Sequence, residues 1–392
     1  MNLERNKPAK ESIEIAIKYL NYFGIDFSIN RYNTQNNTVT VSKIINNTTK
    51  EIISAGKGLG SQGLASGLFE AIEHHMYFNI LRNNDSKKMK MIDIANSHKR
   101  LVESYPIQYL TRHYRDEIFP AITFQSIINP RKKIFLPSFL VVPEEKIYDE
   151  NLEKLTKYKS NNGLAVGISK EEALIHSINE VIERDSLSKH LISYFLKKSQ
   201  VVHFIDKNTL SSKLFTILSD IELTIRNKIN IIDVTHIPGF YSFYVFTNID
   251  DKPLPLKGSG TSFNPNYALE RALSELFQAF KMYDEADFIQ DEVTKTSFSD
   301  FEILSDLIKC KYNMKDLEMK SFPIDTNPNV DSLDEMLNLM IDKLKEHNLN
   351  VYCNYIYKAE NLFCLITYIP GTENFQMINN GVYTLPNDYG WS

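Results

Sequence analysis

The chain has 392 residues, with 44 basic against 49 acidic side chains, a formal charge of −5 and three cysteines. That balance excludes a nucleic-acid binder resting on a basic field, and cysteines without CxxC spacing exclude a disulfide framework or a four-thiolate zinc site. The amino terminus lacks a signal peptide's apolar core and no uncharged run reaches the roughly 18 residues of a membrane span, so a cytoplasmic protein is expected, with neither membrane nor nucleic acid as partner.

In chain order, Ile13, Ala16, Ile17 and Leu20 recur at helical spacing over residues 9–23, and Gly24 supplies a stop. Residues 37–45 alternate in period two and read as a strand. Further strands are expected at 121–128, 133–142, 229–235, 240–249, 350–357 and 362–369, where β-branched and aromatic residues concentrate. Helices are expected near 63–83, 171–198, 209–226, 266–284, 299–309 and 333–347. Interleaving without strict alternation predicts mixed α/β (α+β) layers rather than a parallel barrel or a doubly wound sheet. No Pro/Gly/Ser linker cuts the chain, which predicts an N-terminal helix and strand over 1–50, a core over 51–375 and a tail over 376–392.

One plan occurs three times: a glycine-rich turn, then a helix bearing an acidic or amide pair spaced i, i+3. In the first segment, Ser54 to His74, residues Ser66, Glu70 and Glu73 share one face while Leu68, Phe69, Ile72 and Met76 occupy another. In the second, Asn162 to Asp185, Glu172, His176, Glu180 and Glu183 form one stripe, with Leu174, Ile178 and Val181 packing elsewhere. The third, Lys257 to Gln278, repeats the arrangement with Arg271, Glu275 and Gln278. Any one such pair is ordinarily a solvated face. The threefold order, with Ala65, Ala173 and Ala268 near the helix starts, argues instead that the stripes converge.

Convergence has an electrostatic consequence. Two carboxylates about 5 Å apart at an effective dielectric near 20 repel by about 3 kcal/mol, so such a cluster needs cations. Hard oxygen ligands point to Mg²⁺, which usually accompanies a nucleotide triphosphate. Lys57, Arg184 and Arg271 could hold phosphate oxygens, and the glycine turns could present backbone N–H groups to them. No GxxxxGK[ST] or kinase signature is present.

These segments resemble the YcaO superfamily, ATP-dependent enzymes that activate peptide backbone amides. Its SxxxExxE pattern is similar to Ser66, Glu70 and Glu73, its E(x)7ExxER to Glu172, Glu180, Glu183 and Arg184, and its RxxxExxQ to Arg271, Glu275 and Gln278. The N-terminal helix is similar too, with Ser12 placed near the nucleotide. The resemblance covers residues from about 5 to about 375 and implies a YcaO-like fold of packed sheets flanked by helices, with 51–375 as the ATP-binding catalytic domain. It implies that Glu70, Glu73, Glu180, Glu183 and Glu275 bind Mg²⁺, that Ser12, Lys57, Ser66, Glu172, Arg184, Arg271 and Gln278 bind ATP, and that Glu183, Arg184 and Glu275 serve catalysis. The implied reaction is ATP-driven cyclodehydration of Cys, Ser or Thr to thiazoline or oxazoline; relatives form thioamides or amidines.

Three positions depart from the family pattern. His74 replaces the usual arginine, Ile168 a frequent asparagine, and the tail from Tyr383 to Ser392 lacks alternating prolines. The stretch from Ile369 to Gly381 and the chain length look most like a stand-alone cyclodehydratase subunit of microcin B17-type synthetases. Too few residues precede the first motif for a fused leader-binding domain, so a separate leader-binding, E1-like protein is expected to deliver the precursor peptide, with a flavin dehydrogenase and a homodimer as possible further partners. The departures keep a catalytically silent scaffold as the competing reading. His176 and the pair His74-His75 read as packed or hydrogen-bonded residues before catalysts. Residues 130–133 read as a solvated basic turn with a lesser claim to an acidic peptide, and Tyr389 and Trp391 as part of a frayed end.

Overall fold

The computed structural model describes residues 4–81, 86–143, 149–199, 201–324 and 330–387. Its strands begin with β1 (Phe27–Asn33), β2 (Val39–Asn46) and β3 (Ile52–Leu59). Next come β4 (Lys87–Lys90), β5 (Ile118–Ser126), β6 (Lys133–Pro137) and β7 (Leu164–Gly167). The others are β8 (Val202–Asp206), β9 (Asn230–Asp233), β10 (Tyr241–Thr247), β11 (Leu256–Ser262), β12 (Leu317–Ser321), β13 (Tyr352–Ala359) and β14 (Leu362–Tyr368). The helices run from α1 (Ala9–Tyr22), α2 (Ser61–His75), α3 (Met91–Asn96), α4 (Tyr105–His113) and α5 (Glu150–Glu153) to α6 (Lys170–Leu191) and α7 (Ser212–Ile225). Beyond them lie α8 (Pro265–Met282), α9 (Glu285–Ser297), α10 (Glu302–Ile308) and α11 (Leu333–Glu346).

Helix and sheet are mixed, as expected, and the strands of the described residues form three sheets. Their orders are β1-β2-β3, β11-β10-β9-β8-β12 and β4-β5-β13-β14-β7, with β6 also paired to β5. Pairing is antiparallel except between β8 and β12. Each of β3, β7 and β11 ends its own sheet and runs directly into a helix, giving the units β3-α2, β7-α6 and β11-α8. The threefold sequence plan is therefore a threefold strand-to-helix unit, one per sheet.

This corrects the reading of the glycine-rich segments as turns. Residues 52–59 and 256–262 are strands, and their glycines admit a helix backbone at contact distance. A Cβ on Gly56 would lie 1.8 Å from Gly67 N on α2, and one on Gly260 would lie 2.2 Å from Ala268 O on α8. Ser54 Oγ adds a 2.7 Å hydrogen bond to Gly67 O. Helix starts are fixed by caps: Ser169 Oγ accepts from Glu172 N at 3.2 Å and Asn264 Oδ1 from Tyr267 N at 3.0 Å.

The terminal segments pack on the body. α1 packs Ala16 and Leu20 into the core beside α2, and β2 pairs with β3 from Val39 to Ile45, so β1 and β2 share a sheet with the first repeated unit. The C-terminal segment is folded on the body as far as Asn387. Phe375 and Ile378 are buried, Leu385 N donates to Tyr158 Oη at 3.0 Å, and Asn387 N donates to Glu373 Oε2 at 2.7 Å. Tyr389 and Trp391 lie outside the described residues. Cys310, Cys353 and Cys364 are buried free thiols, and among the described residues no helix is long and apolar enough to cross a membrane.

Candidate active site

The three units bring their polar stripes to a single cavity of about 270 Å³. From α2 come Ser66, Glu70 and Glu73; from α6, Glu172, His176, Glu180, Glu183 and Arg184; from α8, Arg271 and Glu275. Lys57 enters from β3 and Ser12 from α1. Of the residues named from sequence, Gln278 alone is off this wall: its amide donates to Ala55 O, tying α8 to β3. The sequence reading missed Arg5, Gln62, Asn161, Tyr267, Glu270 and Ser274, and placed Phe69 on the packing face although it borders the cavity. Tyr267 and Ser274 stand four before and three after Arg271, so extending the α8 stripe would have found them. Arg5 carries no such periodic signal.

Among the described residues, seven carboxylates line the cavity against four cations, and pairing is close at only some of them. Lys57 Nζ lies 2.8 Å from Glu275 Oε2, Arg271 Nη2 3.8 Å from Glu183 Oε2, and Arg184 Nη2 4.0 Å from Glu180 Oε1. Arg5 Nη1 reaches Glu172 Oε1 at 3.2 Å, and Glu172 Oε2 also accepts from Ile168 N at 3.4 Å. Ile168 thus contributes its backbone to the second unit while its side chain is buried.

Burial against these neighbours splits the acids into two groups. Burial pushes Glu73 well above the ordinary carboxylate range, with Glu180 and Glu70 adding repulsion. Burial pushes Glu180 up to about 7 despite Arg184 beside it, and raises Glu70 despite Lys57 and His74. Burial works in the same direction on Glu275, but Lys57 and Arg184 outweigh it and hold the group low. Two histidines have backbone or side-chain duties. His176 is pushed well below its usual range by burial and by Arg271, and its Nδ1 accepts from Arg271 Nη1 at 3.2 Å. His74 Nδ1 donates to Ile53 O at 2.7 Å, which fixes the ring's orientation and turns Nε2 toward Glu70 Oε1, 4.0 Å away.

Among the described residues no three His, Cys, Asp or Glu side chains enclose an ion by themselves. The donor chemistry nevertheless fits Mg²⁺ held jointly with phosphates: hard carboxylate oxygens are crowded enough to take up protons, and Glu183 Oε2 is buried without a hydrogen-bond partner. Ser259 Oγ holds the other oxygen, Oε1, at 2.8 Å. Arg184 and Arg271, each poorly paired at 3.8 to 4.0 Å, have donors left for phosphate oxygens.

A family profile described as YcaO cyclodehydratase, ATP- and Mg²⁺-binding, matches residues 55–373. The chain belongs to the YcaO family. Solved structures agree in fold. The YcaO of Methanopyrus kandleri bound with AMPPCP and Mg²⁺ has a TM-score of 0.70 at 16% identity, over 98% of this chain and 97% of that one. A heterocyclase in complex with substrate and cofactor has a TM-score of 0.69 at 17% identity, over 98% of this chain and 58% of that one. A chain of the E. coli microcin synthetase McbBCD complex with pro-MccB17 bound has a TM-score of 0.61 at 17% identity, over 89% and 88%. No curated protein matches the chain. The YcaO family binds ATP and Mg²⁺, and the acids and cations of this cavity suit that pair. Ser12 and Arg5 lie before the matched span but border the same cavity.

Proposed function

We propose that this YcaO protein uses ATP and Mg²⁺ to phosphorylate a backbone amide of a ribosomally made precursor peptide, and that the product is a thiazoline or oxazoline formed by cyclodehydration of Cys, Ser or Thr. The observation that carries this reading is the meeting of three acid stripes, each from a different sheet, with Lys57, Arg184 and Arg271 in one cavity. Bound there, ATP with Mg²⁺ supplies the phosphoryl group that turns an amide oxygen into a leaving group. The protein's own part is positioning and charge balance. Glu70, Glu73, Glu180, Glu183 and Glu275 hold the metal, with Glu183 and Glu275 kept in register by Ser259 and Lys57. Arg184 and Arg271 offset phosphate charge, and His176 orients Arg271. Ser12, Ser66, Lys57 and Glu172 complete the nucleotide wall, while Gln278 acts indirectly through Ala55. The peptide is delivered in the cytoplasm by a separate leader-binding partner.

Calorimetry of ATP binding with and without Mg²⁺ tests the reading. Mg²⁺-dependent binding that weakens at least tenfold in Glu183→Gln is expected, and no binding to the wild type sinks it in favour of a silent scaffold. Mass spectrometry of a co-expressed precursor peptide then separates the products: loss of about 18 Da marks dehydration and gain of about 16 Da marks oxygen-to-sulfur exchange at the activated carbonyl.

A further inference from the structure

A second cavity, of about 100 Å³, lies on the other side of the 160–164 segment from the acidic one: Asn161 borders the acidic cavity, and its neighbours Ser160 and Asn162 border this one. Its lining includes the apolar side chains Phe124, Leu136, Leu140 and Ile366. It is also rich in acceptors. Glu373 is 7% exposed and has no cationic partner among the described residues. Its Oε2 accepts from Asn387 N at 2.7 Å and its Oε1 from Asn374 N at 2.8 Å, and the Phe375 backbone donates as well, which still leaves acceptor capacity on the carboxylate. Asn162 Oδ1, Thr367 Oγ1 and Thr384 Oγ1 are buried with no hydrogen-bond partner among the described residues, and Thr367 and Thr384 are 1% and 6% exposed. Unmet buried polar atoms carry a desolvation penalty and are uncommon, and here three of them belong to residues bordering one small cavity beside an uncompensated carboxylate.

We propose that this cavity is a second ligand site, for the primary ammonium head of a small amine whose alkyl body of a few carbons lies against Phe124, Leu136 and Leu140. An ammonium has three donors and no acceptor, so it matches a set consisting of a carboxylate, an amide oxygen and hydroxyls, and it supplies the cation that Glu373 lacks. Burial, with Asp185 adding repulsion, pushes Glu373 up to about 7 against the backbone hydrogen bonds it accepts, the direction expected of a carboxyl waiting for a counter-charge. Thr384, Leu385 and Asn387 form one wall, so occupancy ties the C-terminal segment to the body. Nothing in this assignment depends on the chemistry of the acidic cavity.

The probe is n-butylammonium chloride, with n-butanol as the uncharged control at matched ionic strength, titrated into the full chain by calorimetry. The expected result is saturable binding of n-butylammonium alone, slower hydrogen exchange at residues 384–387, and affinity at least tenfold weaker in Glu373→Gln. Thr384→Val keeps the shape and removes one acceptor, so it should lower the affinity severalfold while leaving circular dichroism unchanged. Should Glu373→Gln not fold, Thr384→Val and Thr367→Val decide the matter. A response to Nα-acetyl-lysinamide as well makes the natural source a lysyl side chain, and its absence makes it a free amine. Equal responses to the alcohol and the ammonium, unchanged affinity in the variants, or no binding of either probe because the cavity holds water only, would each overturn the proposal.

Discussion

Glu180 has a stability consequence that can be signed. Its carboxyl titrates near 7 in the folded chain against an ordinary value of 4.5, so the folded state holds the proton more tightly than the unfolded state. The stabilisation from that proton is fully present below about 4.5 and is lost as pH rises through about 7. Glu180→Gln mimics the protonated form and cannot lose it. Without nucleotide, the variant should match the wild type at pH 4 and exceed it by roughly 3 kcal/mol at pH 8, measured by urea unfolding across the range. Mg²⁺ with nucleotide should then stabilise the wild type more than the variant, because a metal favours the ionised carboxylate. Lys57 supports Glu275 in the opposite sense. Lys57→Met removes the cation 2.8 Å from that carboxylate, and NMR titration of Glu275 should show its pKa rising while nucleotide affinity falls about tenfold, a loss of about 1.4 kcal/mol.

At the scale of elements, the site depends on three helices lying almost in contact with the strands that precede them. Gly56→Ala tests this, because the added Cβ would meet Gly67 N, a backbone atom with nowhere to move. Destabilisation of about 3 kcal/mol or more is expected from the shift in urea midpoint. The same close contact explains what the sequence concealed. Helices were readable because Leu68 and Ile72, or Leu269 and Leu273, recur at helical spacing and are buried. β2 was readable from its period-two alternation, and β10 and β14 from their β-branched and aromatic residues. β3 and β11 carry Gly56, Gly58, Gly258 and Gly260, residues disfavoured in strands by propensity and present because a helix needs the space, so local signals pointed to turns. α9 was passed over although Ala286, Ile289 and Val293 recur at helical spacing; in the structure that stripe is largely exposed and only Thr294 of the helix is buried.

The whole chain closes the site by bringing Glu4 and Arg5 to elements more than 160 positions away. Glu4 is hydrogen-bonded to Ser262 Oγ and accepts from Asn179 Nδ2 at 3.1 Å, while Arg5 pairs with Glu172. The acids of the three stripes were legible in sequence because each lies in a periodic pattern, whereas Arg5 was not, since its position follows only from the path of the folded chain. Its loss should be felt twice. Glu172 is 3% exposed, and removing its guanidinium partner leaves a buried carboxylate to be desolvated alone, which costs about 2 to 4 kcal/mol. The cavity also loses one of the four cations that balance its seven carboxylates. Arg5→Ala should therefore lower the urea midpoint and weaken nucleotide binding together. The double variant Arg5→Ala, Glu172→Gln should recover most of the stability and little of the binding, because a neutral amide relieves the unpaired charge without restoring a cation to the phosphate-facing wall. Recovery of both would assign Arg5 a purely structural role at the α6 N-terminus.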